Sequence, residues 1–215
     1  MFDQRTLTRF KKSKASSFGL GLIAAFLLLA LLAPFIAKPQ GPDPYQIPQS
    51  GYSSEPQKPS AGKIFGTTES QYDLFYGVVW GGRTAFKIGA AVILTALAAG
   101  LMIGGLAGYY GGWVDESAMR FTDIILAFPG IVLAVVIAAM MGPGVEKVVF
   151  AIAAVSWPAY ARLFRGDILT VKKQDYVTAS RIMGAGDFWI FTRHILPNSI
   201  YPVVVVASLD IGSVT

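Results

Sequence analysis

Residues Ile88–Tyr110 carry no charged side chain from end to end, and four other stretches of the chain come close to that. Phe18–Ala37 and Ile124–Met141 are likewise uncharged, Val148–Ala161 is shorter, and a fifth apolar run begins near Ser199 and continues to Thr215. A bilayer core is spanned by about 20 apolar residues in a helix. Inside hydrocarbon the backbone must satisfy its own hydrogen bonds, so a chain like this folds as membrane-spanning helices or not at all. Composition agrees: 53% of residues are hydrophobic and 14% charged, against about 25% charged in soluble domains. The expected fold class is an all-α, polytopic helical bundle.

The net charge of +5 would suit a nucleic-acid binder, but the placement of the charges argues for a membrane. Arg5, Arg9, Lys11, Lys12 and Lys14 precede the first apolar run, and Arg162, Arg165, Lys172, Lys173, Arg181 and Arg193 follow the fourth. Basic clusters on one side of the bilayer set orientation. Four spans between the two clusters put both in the cytoplasm, with the N-terminus inside. The Val148–Ala161 run must borrow its flanks, with Lys147 and Arg162 snorkelling outward. A cleavable signal peptide is the other reading of the first run, but no small-x-small cleavage site follows it.

The chain divides into a basic N-terminus (1–17), a first transmembrane helix (18–37), an extracytoplasmic loop (38–82) and a transmembrane core (83–215) with a cytoplasmic loop at 166–195. The 38–82 loop is rich in Pro, Gly, Ser and Gln and cannot cross lipid; a short amphipathic piece is expected near Tyr72–Trp80. Contact with an extracellular protein and a simple linker are both open readings of it. Gly100, Gly104 and Gly108 form a small-residue stripe that predicts close helix packing. Pro129-Gly130 and Trp157-Pro158 predict interruptions of the third and fourth spans.

The cytoplasmic loop predicts two short helices. Asp175 is expected to cap the first and Gly184 or Gly186 to end it; Asp187 is expected to cap the second, which Pro197 limits. Tyr176, Ala179 and Met183 fall on one face of the first helix. A partly apolar helix at a membrane surface is a docking element.

Thr178-Ala-Ser-x-x-x-Gly184 followed by Leu196-Pro197 resembles the E-A-A-x-x-x-G…L-P loop of ABC-importer permeases. Arg193-His-Ile-Leu-Pro-Asn198 resembles its dipeptide/oligopeptide/nickel branch, and Thr178 replaces the usual Glu. Gly108–Asp115, Ala127–Gly130 and Trp157-Pro158 extend the likeness, and Gly66-Thr67 with Asp73 keeps part of an L-G-T-D-x-x-G-R-D motif in which Gln71-Tyr72 replaces Gly-Arg. The resemblance implies a permease of the type I ABC-importer kind in a bacterial or archaeal inner membrane. It implies about five spans of an expected six, and hence a chain truncated at its C-terminus. It also implies a loop in which Tyr176, Thr178, Ala179, Ser180, Arg181, Met183, Gly184, Ala185 and Asp187 dock an ATPase. The implied partners are two ABC ATPase subunits, a second homologous permease, an extracytoplasmic substrate-binding protein and membrane lipid, with no nucleic acid. Peptides are the expected cargo, nickel or another small solute the second choice.

The residues exclude other chemistry. The chain lacks cysteine and has one histidine, His194, which leaves no thiolate or imidazole metal cluster. There is no phosphate-cradling G-x-x-x-x-G-K-[ST] loop and no nucleophile–base constellation. No catalytic residue, metal or cofactor is therefore expected, and ATP hydrolysis is assigned to a partner. An ion-coupled secondary transporter would need intramembrane acids or bases, and only Asp123 and Asp210 offer themselves. Asp123 is expected to pair with Arg120; Asp210 has no basic neighbour in sequence. A membrane scaffold without transport is the third reading.

Overall fold

The computed structural model describes residues 13–53 and 55–214. Arg5, Arg9, Lys11 and Lys12 of the N-terminal cluster, and Thr215, lie outside those residues. The described chain is helical: α1 (Lys14–Ile36), α2 (Leu74–Tyr110), α3 (Gly112–Leu126), α4 (Gly130–Met141), α5 (Val145–Val171), α6 (Asp175–Ile182), α7 (Asp187–Ile190), a π-helical turn at Phe191–Ile195 and α8 (Leu196–Val214). Two compact units divide it after Lys87. By length and composition α1, α2 and α5 can each cross a membrane, and α3 with α4 supplies a fourth crossing if the bent pair is one span. α8 stands where the fifth run was expected, its apolar content diluted by Asn198, Ser199 and Asp210.

In the first unit the 38–73 segment is irregular but tightly tied. Trp80 donates its indole N–H to the Ala37 carbonyl at 2.9 Å, and Tyr76 its hydroxyl to Pro44 at 2.7 Å. Both rings pack on Ala33 and Ala37. Gln71 takes φ +63, a left-handed conformation unusual for a residue with a Cβ. Its side chain is fully buried: Nε2 donates to the Glu55 carbonyl at 2.7 Å, and Oε1 accepts from Thr67. This is the position where the resembled motif has glycine, and here hydrogen bonds from a buried side chain accompany the positive φ.

The second unit is built on close contact between α2 and α5. A Cβ on Gly104 would fall 2.3 Å from the Ala161 carbonyl oxygen, one on Gly100 2.6 Å from Tyr160 Cβ, and one on Gly108 3.0 Å from Ile168 Cβ. Without side chains on that stripe the α2 backbone lies against α5. Val92, Ala96, Ala161, Phe164 and Ile168 form a continuous core there. α5 also packs on α3, α4 and α8.

The uncharged Ile124–Met141 run is not one helix. α3 ends at Leu126 and α4 starts at Gly130, bent by 88°. Pro129, at φ −58 and ψ 117, disfavours helical geometry at Phe128 and supplies no N–H. The expected interruption at Trp157-Pro158 does not occur: α5 runs helical through a buried Pro158. Nor does Pro197 separate the second loop helix from the last one. The π-helical turn at Phe191–Ile195 leads directly into α8; its wider turn accommodates the ring and the missing donor at Pro197.

A candidate docking loop tied to α2

Lys172–Gln174 turn the chain out of α5 and into α6. Gln174, extended at φ −73 and ψ 145, is the N-cap, with no side-chain cap bond. Asp175 therefore does not cap; it sits in the first turn, where its charge complements the free N–H groups. The same one-residue shift recurs in α7, whose N-cap is Gly186. There the reason is visible, because the Asp187 carboxylate is engaged elsewhere.

Gly184 ends α6 at φ +84. The Ala185 N–H reaches the Ser180 carbonyl at 3.1 Å and the Gly184 N–H the Arg181 carbonyl at 3.0 Å, the paired bonds of a Schellman C-cap. Of the residues assigned to docking, Tyr176, Thr178, Ala179, Arg181, Met183, Gly184 and Asp187 are exposed and Ala185 is half-buried. Ser180 points inward. Its hydroxyl donates to the Tyr176 carbonyl at 2.8 Å and lies 3.2 Å from His194 Nε2. His194 is wedged between the rings of Tyr176 and Trp189, at 5.7 and 5.0 Å.

The outer surface carries apolar side chains that the motif does not mark. Ile182, Met183 and Phe188 are about four-fifths exposed and Trp189 half. Ile182 and Phe188–Trp189 flank the Gly184 turn, and their signal in the sequence was apolar bulk beside a helix stop in a polar segment. Val177 and Ile190 face the other way, fully buried.

Two contacts fix this loop to the helical core. The Tyr109 hydroxyl, in the last turn of α2, donates to Asp187 Oδ1 at 2.6 Å. Lys172 Nζ donates to the Tyr109 carbonyl at 2.5 Å, neutralising the end of α2. Burial pushes the Lys172 ammonium below the usual lysine range, and the Arg181 charge adds to that. Beside them Arg165 of α5 forms a two-pronged, largely shielded ion pair with Asp115 of α3, a geometry that guanidinium suits.

Asp123 departs from expectation. Arg120 pairs with Glu116 one turn back, at 2.6 Å, and Asp123 reaches across to Arg162 of α5 at 2.5 Å. Within a helix the i, i+4 partner is as near as the i+3 one, so Glu116 competes successfully. Asp210 also has a partner: it accepts the Tyr160 hydroxyl at 2.7 Å.

Residues 100–215 match the model of the binding-protein-dependent transport system inner membrane component, and residues 2–59 that of the N-terminal TM domain of oligopeptide transport permease C. A dipeptide transport system permease of Alkalihalophilus pseudofirmus is 35% identical over 95% of this chain and 66% of its own length. A glutathione transport system permease of Pectobacterium atrosepticum is 39% identical over 88% of the chain and 64% of its own. A probable D,D-dipeptide transport system permease of Escherichia coli is 38% identical over 89% and 62%. The chain thus spans somewhat under two thirds of the length of these relatives. With more than half of its residues under the first model, from the last third of α2 through α8 and including the tethered loop, the chain belongs to the binding-protein-dependent transport system inner membrane components, the permeases of ABC importers.

Proposed function

We propose that the chain is the translocation subunit of an ATP-driven peptide importer and that α6 and α7 dock the ATPase which powers it. The observation that carries this is the exposed apolar edge Ile182–Met183 and Phe188–Trp189 around the Gly184 turn. Surface of that kind in a basic segment calls for a protein partner. The N-terminus and this loop face the cytoplasm, and 38–82 lies outside. A second permease, two ATPase subunits and an extracytoplasmic binding protein complete the assembly. Peptide cargo rests on the similarity to a dipeptide transport system permease and a glutathione transport system permease.

The test is reconstitution of the full-length chain with these partners in proteoliposomes. Dialanine uptake should require ATP and the binding protein, and the ATPase should co-purify. A chain that binds no ATPase under these conditions contradicts the proposal.

A further inference from the structure

We propose that His194 is a positioning residue that carries displacement of α6 into α8, through a hydrogen bond from its ring to Ser180; this deepens the docking reading above and rests on it. His194 lies in the π-helical turn Phe191–Ile195, which leads directly into α8. Its ring meets α6 at Ser180 and Tyr176, and α7 at Trp189. Its carbonyl accepts a hydrogen bond from Asn198 Nδ2, in the first turn of α8, at 2.6 Å. One residue is therefore bonded both to the helix proposed to meet the ATPase and to the helix that packs on α5.

The direction of the ring bond follows from counting protons. A serine hydroxyl has one, and Ser180 donates it to the Tyr176 carbonyl at 2.8 Å, the usual bond of a helical serine to the carbonyl one turn back. At 3.2 Å from that hydroxyl the ring must then be the donor, so His194 Nε2 carries the proton. Ser180 is only 5% exposed, and the ring gives its oxygen the second partner that a buried polar atom needs. The rings of Tyr176 and Trp189 confine the imidazole from two sides. A π turn is rare and is common at functional sites; this one lets the ring face α6 while α8 packs on α5. The link gives a role to His194 and Asn198 of the Arg193–Asn198 run, which docking alone leaves unused.

The test uses the full-length importer, captured through a tag on its ATPase and reconstituted, so that every permease counted has docked. Ser180→Ala and His194→Leu should each lower dialanine uptake per ATP hydrolysed by about fivefold, the scale of one hydrogen bond. The double variant should be no worse than either, because both remove the same interaction. His194→Gln, whose amide keeps an N–H donor, should retain most of the ratio. With isotope-labelled histidine in this chain, the Nε2 proton should resist exchange with water in the wild type and exchange freely in Ser180→Ala; the magnetic-resonance signal missing from His194→Gln identifies it. Additive losses in the double variant, unchanged ratios in both single variants, a loss in His194→Gln equal to that in His194→Leu, an Nε2 without a proton, or a variant that no longer captures the ATPase overturns the link. The wild type separates the two levels. Wild-type capture and uptake intact beside any of those results sinks the link alone, whereas a wild-type chain that captures no ATPase sinks the docking reading and the link with it.

Discussion

The hydroxyl of Tyr109 bonds both the carboxylate and the carbonyl of Asp187, at 2.6 and 3.0 Å, joining residues 78 positions apart. One lies in the last turn of α2, the other in the first turn of α7. A loop held only by its own chain would have no bond to the bundle; this one is fastened to α2. Tyr109→Phe removes the bond while keeping the ring against Phe191. It should cost about 1–2 kcal/mol of stability, leave ATPase association intact, and lower uptake per ATP hydrolysed. Parallel assays of ATPase activity and dialanine uptake check this.

The ion pairs should rank by exposure. Side chains of Arg165 and Asp115 are 29% and 17% exposed, those of Arg162 and Asp123 54% and 62%. Asp115→Asn should destabilise the chain by about 1.5–3 kcal/mol, and Asp123→Asn by at most about 1 kcal/mol. Thermal unfolding in detergent, with both substitutions in one background, decides the order.

Gly104→Ala should be far more damaging than its size suggests. Its Cβ meets the Ala161 carbonyl, which is backbone and cannot swing aside, so α2 and α5 must separate at a cost of about 1–3 kcal/mol. Gly166→Ala, in α5 with nothing within 4 Å, should be neutral or stabilising by up to about 1 kcal/mol. The difference in unfolding temperature between the two variants is the readout.

Orientation can be read with single thiols in the cysteine-free chain. Ser53→Cys and Lys173→Cys should react with impermeant maleimide from opposite faces of the membrane. Reaction of both from the same face contradicts three crossings between them, by α2, the α3–α4 pair and α5.

Much of this was legible in the sequence. Uncharged length marks helices because lipid leaves no other fold, and the Gly100–Gly108 spacing is explicit about a face. Gly184 was readable because few other residues take its φ. What escaped were choices between near-equal local options. Asp175 and Asp187 could each cap or occupy the next position, and Tyr109 tipped Asp187 from 78 residues away. Arg120 had Glu116 and Asp123 within reach, and only the packing of α3 on α5 gave Asp123 to Arg162. Whether a proline breaks a helix also depended on surroundings: Pro129 did, while the well-packed Pro158 did not. The inward turn of Ser180 and the exposure of Ile182 and Phe188 follow from how α6 seats on the bundle, which no local pattern states.

The most direct measurement is the thiol accessibility of Ala179→Cys, on the outer face of α6, in the chain alone and in the assembled importer. Docking predicts rapid labelling in the free permease and strong protection once the ATPase is bound, with Ser53→Cys unchanged in both. Labelling of Ala179→Cys at the same rate with and without bound ATPase would contradict the account, leaving α6 and α7 as a surface connector.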